Sequence, residues 1–353
     1  YNRLTSDKYA ALSFPTSTGF SSVTNNNGEF RNQGIEIELS GKIIDSKDWT
    51  WSASGNIAFN KNKIVSLPDN GMERNRINAF QVYTGNGDEK KWVGGQQEGQ
   101  EPGILYLYQA DGISRSYDEI PANLVRKYGS RTYYGPEAWN KLTAEQQNAT
   151  TNFPIQPGDT KFHDVNGDDV IDEFDKVKVG ATSPRWTGGF NTTLRWKNFQ
   201  LYGRFDYALG FWLYENSGTQ STTPWFMGCY QGTYNTPTMY YDTWSESNPN
   251  AKYPRYLFAD QNGKNNYIAS TMFAYRGDYL AIREISLSYS LPESAAKMLK
   301  MQRAEVSITG QNLGYITGAK NVGSPEANPK DNGAVGQGYS LPRTILFGVN
   351  LTF

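Results

Sequence analysis

The chain has 353 residues, a formal charge of -1, and an aromatic content of 14%, with 24 Tyr, 17 Phe and 9 Trp. Yet only 37% of it is hydrophobic and the mean hydropathy is -0.66, which is unusual for a soluble enzyme and suits a barrel with aromatic girdles, a wet interior and polar loops. The near-neutral charge gives no reason to expect nucleic acid as a partner, the lone Cys229 excludes an intrachain disulfide or cysteine metal cluster, and the lone His163 argues against a His-based catalytic or zinc site.

No run approaches the ~18 apolar residues of a membrane helix, which excludes helical spanning and leaves spanning by strands open. Tyr1-Asn-Arg-Leu-Thr opens as if in mid-strand with no signal peptide, so the chain is expected to be a piece of a longer polypeptide. Tyr1 to Ala10 is a strand candidate, and Ser13 to Gly28 reads as a Ser/Thr/Asn/Gly loop. Ile35, Ile37, Leu39 and Ile43 then alternate with Glu36, Glu38, Ser40 and Lys42. After the turn Asp45 to Asp48, Trp49, Trp51, Ala53, Ile57 and Phe59 share a face against Thr50, Ser52, Ser54, Asn56 and Asn60, which makes a hairpin. One strand is expected between Ala79 and Gly95 and another over Gly103 to Ile113.

Trp186, Gly188, Phe190, Leu194 and Trp196 oppose Thr187, Asn191, Thr193 and Arg195, and Lys197-Asn198 turns the chain into Phe199 to Leu209 as a second hairpin. Ile285, Leu287, Tyr289 and Leu291 alternate with Glu284, Ser286, Ser288 and Ser290, with Arg283 on the apolar side. Pro292 to Leu299 reads as one or two helical turns with proline at the start. Ala304 to Gln311 and Arg343 to Phe353 complete the strands. In the last, Ile345, Phe347, Val349, Leu351 and Phe353 point one way against Thr344, Gly348, Asn350 and Thr352.

Connections alternate between short (Asp45 to Asp48, Lys197-Asn198, Pro292 to Gln302) and long (Asn60 onward, Gly112 to Pro184, Tyr214 to Met272, Tyr315 to Pro342), the asymmetry of outer-membrane barrels. The fold expected is therefore all-β, about ten antiparallel strands of a transmembrane barrel. Phe353 falls at the periplasmic rim, and residues 112–184 and 213–272 form long extracellular loops. Glu36, Glu38, Arg195, Arg204, Asp206, Glu284 and Glu305 on the polar faces call for a wide aqueous lumen.

Gly158 to Asp175, followed by Val179-Gly-Ala-Thr-Ser-Pro-Arg-Trp-Thr-Gly-Gly-Phe190, resembles the SusC/RagA family of TonB-dependent outer-membrane transporters of Bacteroidota. Ser17-Thr-Gly-Phe20 with Arg31-Asn-Gln-Gly-Ile-Glu36, Asp278 to Pro292, Gly310-Gln-Asn-Leu313 and the last strand agree with it, in order, over nearly the whole chain. The resemblance implies that residues 1–353 are the C-terminal part of a plugged barrel of roughly 22 strands. The remaining strands and the plug would be its partners in the wall, with outer-membrane lipid outside, TonB acting through the missing N-terminal part, and a SusD-like surface lipoprotein closing the mouth.

Asp164, Asn166, Asp168, Asp172 and Asp175 place side-chain oxygens at positions 1, 3, 5, 9 and 12 of an EF-hand-like loop, with the Val170 carbonyl at 7, a spacing that suits Ca2+. Asp169 stands where the motif has Gly, and Asp175 where it has Glu; the alternative is a solvated Asp/Asn loop that needs no ion. Trp212, Trp225, Phe226, Tyr230, Tyr240, Tyr241 and Trp244 could stack on sugars or bind peptide, or else serve as belt and loop packing. Glu36 and Glu38 have no glycosidase arrangement, and His163 has no G-x-S-x-G elbow, so no catalytic residue is expected. Three functions compete: energised import of oligosaccharides or peptides, a SusC-like barrel serving as structural subunit of an assembly or secretion machine, and a soluble calcium-braced binding module. The substrate-binding residues are not legible.

Overall fold

The structure, a computed structural model, describes residues 1–13, 19, 22–214, 242–255, 268–319, 324–326 and 341–353. Eight strands form one continuous antiparallel sheet: β1 (Asn2–Ser13), β2 (Ser22–Asp45), β3 (Trp49–Ser66), β4 (Trp186–Trp196), β5 (Phe199–Leu209), β6 (Tyr279–Ser290), β7 (Arg303–Thr317) and β8 (Thr344–Thr352). Each pairs with its neighbours in chain order, the meander of an up-and-down barrel wall.

Register fixes which residues share a face, because directly opposed residues point the same way. Trp186 opposes Phe59 and Leu209, Phe190 opposes Gly55 and Phe205, and Trp196 opposes Trp49 and Phe199. The row continues through Tyr289 to Val306 and Val349. This apolar face looks outward: Leu39, Phe199, Leu287, Phe347 and Val349 are all exposed, Phe347 at 81%. Exposed alternating aliphatics on a sheet face have no counterpart in a soluble sandwich, where that face would be the core.

The belt also has the right height. From Trp186 to Trp196 the strand advances about 33 Å at about 3.3 Å per residue. A tilt of about 40° makes that about 25 Å across the membrane, the apolar band of an outer-membrane barrel. Trp49 stacks on Trp196 at 5.7 Å, Trp196 on Phe199 at 6.0 Å and Phe199 meets Tyr289 at 4.6 Å, forming one girdle; Phe59 and Trp186, 4.7 Å apart, mark the other. Within the belt, the Trp51 indole donates to Thr192 Oγ1 at 2.8 Å, which leaves no bare N–H towards lipid.

Several expectations shift. The loop expected over Ser13 to Gly28 is strand from Ser22, paired with β1. That Asn/Thr run comes before Ile35, which opposes the girdle residue Phe59, and its sequence lacks the apolar alternation of the belt. Wall strands number eight among the described residues, because the two weaker candidates pair elsewhere. Phe80–Tyr83 and Lys90–Val93 form a separate hairpin, and Ile104–Tyr108 pairs with Lys176–Ala181. Those segments are short and flanked by glycines at positive φ, Gly94, Gly103 and Gly112. The helical turn after β6 is Glu293–Met298. Ser17, Thr18 and Phe20 of the resemblance, and Cys229, lie outside the described residues.

Candidate functional site

The polar face of the wall carries the charges expected of it. Glu38 opposes Asn56, Arg204 opposes Glu284, and Glu305 opposes Asn350. The Asn56 side chain accepts from the Gly189 amide at 2.9 Å, Arg195 donates to Gln200 Oε1 at 3.0 Å, and Glu305 accepts from Ser290 at 3.0 Å and Arg303 at 2.7 Å. Such self-satisfied polar ladders suit a surface that faces water inside a barrel.

Arg283 corrects the sequence reading. Strict alternation puts it on the apolar side, but the ladder skips it on both edges: Ile282 and Glu284 pair with Phe205 and Arg204 on one side and with Gly314 and Gln311 on the other. This bulge turns the guanidinium to the polar face, where Nε donates to Asp206 at 2.6 Å and a terminal nitrogen donates to Glu326. A charged residue breaking an Ile/Leu alternation was the signal available in the sequence.

Above the wall, the described parts of the two longest connections, 67–185 and 210–278, pack into one cap. Leu105 and Leu107 from the first share a buried cluster with Tyr214, Tyr253 and Phe273 from the second. The connections are also stapled polar to polar: Arg255 donates to Asp159, which is 0% exposed, at 2.7 Å and to Gln156 at 2.7 Å, while its own amide donates to Gly158 O at 2.9 Å. Gly158 sits at φ 90, with the Trp244 ring where a Cβ would be. No local pattern in the sequence announces the staple, since its partners lie 96 residues apart. Trp244 therefore packs within the cap, and so does Trp212, which lies against the same buried cluster. Trp225, Phe226, Tyr230, Tyr240 and Tyr241 lie outside the described residues, so the aromatic cluster is seen only in its packing members.

The Asp-rich segment folds as a chain of Asx turns. Asp164 accepts from the Gly167 and Asp169 amides at 2.8 Å each, Asp168 from Val170 at 2.8 Å, and Asp172 from Phe174 at 2.8 Å. Asp169 adopts φ 61, so the left-handed turn that the motif assigns to glycine is made by aspartate. Asp175 is fully buried and accepts from the Val165 and Asp172 amides at 2.9 and 2.7 Å. Burial pushes its carboxyl from the ordinary 3.8 up to about 6, against those two amides, with Asp172 and Asp164 adding to the rise. The neighbouring hairpin clamps the segment: the Tyr83 amide donates to Phe174 O at 2.9 Å, Asn166 donates to Asp88 at 2.8 Å, and the Lys90 ammonium lies 3.5 Å from the Phe174 ring centre. Among the described residues no three His, Cys, Asp or Glu side chains converge as a metal cluster. A calcium ion would need the Asn166 amide oxygen, buried without a hydrogen-bond partner, and the Val170 carbonyl as well. His163 faces Asp111 at 3.1 Å on the surface, a loop position.

An outward apolar belt of bilayer height, a polar inward face and a folded cap on the long-connection side define the wall of a transmembrane β-barrel. No family model matches the chain. Over its whole length it is 27% identical, across 362 residues, to TonB-dependent receptor P3 of Formosa agariphila, covering 32% of that protein. It is 25% identical across 360 residues to TonB-dependent receptor SusC of Bacteroides thetaiotaomicron, covering 29%. Its fold matches a solved structure of the RagAB peptide transporter with a TM-score of 0.62 at 19% identity, over 100% of this chain and 32% of that one. The chain thus spans about a third of the length of the curated relatives it matches. In sequence it is similar to SusC and another TonB-dependent receptor, in fold to the RagAB transporter, and it is an outer-membrane protein.

Proposed function

We propose that this chain forms barrel wall and extracellular cap of a SusC-like importer that moves oligosaccharides or peptides across the outer membrane. TonB supplies the pull through the rest of the transporter, and a SusD-like lipoprotein rests on the cap side. The observation that supports the reading is the match of this whole chain to about a third of known TonB-dependent receptors, on a wall whose inner face is polar and charged. The wall's part is to hold lipid outside and water inside; no covalent chemistry is assigned to it. The test is to purify the native full-length complex and identify its companion chains and cargo. A surface lipoprotein with bound glycan or peptide supports import, whereas assembly or secretion components without cargo would replace it with the structural-subunit reading.

We further propose calcium as a brace for the Asp164 to Asp175 loop, acting on the cap's rigidity. Asx turns that already curl the backbone around Asp164, and a buried Asn166 oxygen without a donor, support it. Calorimetry on the intact protein should show calcium heat that disappears when Asp164→Ala and Asp168→Ala are combined. Equal heats in both would remove the ion from the account.

A further inference from the structure

The three short connections of the wall are not alike. Asp45 to Asp48 and Lys197-Asn198 carry only polar side chains, as turns in periplasmic water should. The turn from β6 to β7 instead builds the helical segment Glu293–Met298 and exposes two large apolar residues, Met298 at 86% and Leu299 at 56%. Lys300, at φ 58, ends the segment. The tail of the turn is closed: the amides of Leu299 and Met301 donate to Ala296 O at 3.0 Å each, that of Lys300 to Lys297 O at 3.0 Å, and that of Gln302 to Thr352 O at 2.7 Å. Backbone amides already paired in this way lose no hydrogen bond when the tail leaves water.

Burial tells on which side of the wall the segment lies. Ala304 continues the outward row, opposing Leu351 and accepting from the Leu291 amide at 2.9 Å, and the next outward residues along β7, Val306 and Ile308, are each 44% exposed. Yet Ala304 is only 4% exposed, whereas the Arg303 side chain, which points to the lumen beside Glu305, is 63% exposed. The helical segment packs on β7, and its Ala296 is 1% exposed, so small residues on both sides let it lie close over Ala304 on the outward face. Met298 follows Ala296 by two positions, about 200° round a helix, and so points away from the wall. Leu291 lies two residues past the girdle residue Tyr289, which at about 3.3 Å per residue and a tilt of about 40° sets the segment about 5 Å beyond the apolar belt, at the depth of lipid headgroups.

We propose that this turn is an interfacial foot of the barrel: Met298 and Leu299 enter the phospholipid leaflet on the periplasmic side, and the exposed Lys300 beside them meets lipid phosphate. Lys297 is held by Glu293 at 2.7 Å, which leaves Lys300 as the cation for the headgroups. Lipid is the occupant because the apolar pair begins where the lipid-facing row ends, on the same side of the wall, so it continues a surface that already meets the bilayer. The foot rests on the barrel's place in the outer membrane and not on which cargo, if any, is moved.

The test uses full-length protein carrying Cys229→Ser, with a nitroxide attached at Met298→Cys, at Lys47→Cys in the polar turn, or at Val349→Cys on the lipid-facing belt, each reconstituted in bilayers of phosphatidylethanolamine and phosphatidylglycerol. All three positions are exposed, so the label leaves the packing of the wall intact. Collision with oxygen, which concentrates in lipid, is compared with collision with a neutral nickel chelate, which stays in water. The oxygen-to-nickel ratio at 298 should exceed that at 47 by roughly threefold or more and lie below that at 349. Equal ratios at 298 and 47, with 349 still in lipid, would put the apolar pair in periplasmic water and overturn the foot while leaving the barrel standing.

Discussion

At Asp169 the backbone takes a left-handed turn that aspartate tolerates better than most residues but less well than glycine. Asp169→Gly is therefore expected to hold or raise the stability of the cap by up to about 1 kcal/mol, and Asp169→Val to lower it by about 1–2 kcal/mol. Thermal unfolding of the two variants beside wild type measures the difference. Asp175 sets a pH dependence. Its folded carboxyl, raised to about 6, keeps its proton more tightly than the unfolded one, so its contribution favours the folded cap fully below about 3.8 and is lost as pH rises to about 6. With chelator present, cap stability should fall by about 2–3 kcal/mol across that window, and Asp175→Asn should flatten the fall. A profile equally steep in Asp175→Asn would assign the effect to another group. The EF-hand-like spacing, with its turn at position 6, was readable from residue types alone, whereas the burial of Asp175 was not, since the hairpin clamped over the segment lies far from it in sequence.

The elements divide by how they meet lipid. A cation placed on the outward face near the middle of the belt, as in Phe190→Arg, should cost about 2–4 kcal/mol in equilibrium refolding into bilayers. Trp186→Arg at the girdle should cost about 0–1 kcal/mol beyond its lost ring packing. Asn191→Arg, one residue from Phe190 but facing the lumen, should be nearly neutral, and equal costs at 190 and 191 would refute the assignment of faces. In the cap, Phe273→Ala opens the cluster that joins the two long connections and should cost about 3–5 kcal/mol there. Protease should then cut the cap while the wall stays resistant. Wall strands were legible wherever one face met lipid and the other water, as in Trp186 to Trp196. They blurred where that contrast ended: Ser22 to Gly28 is strand without alternation, and Ile104–Tyr108 is apolar because it packs in the cap, not because it spans.

On the scale of the whole molecule, β2 is longer than the membrane requires. Its 24 residues extend about 80 Å, or about 60 Å in height at the tilt assumed for the belt, leaving at most about 35 Å above the lipid. The surplus works as a stilt under one side of the rim only, because β4 and β5 stop at the girdle residues Trp186 and Leu209. A lipid-anchored protein that reaches over the raised side therefore needs a leash of up to roughly ten residues, at about 3.4 Å per extended residue, between its anchor and its folded body.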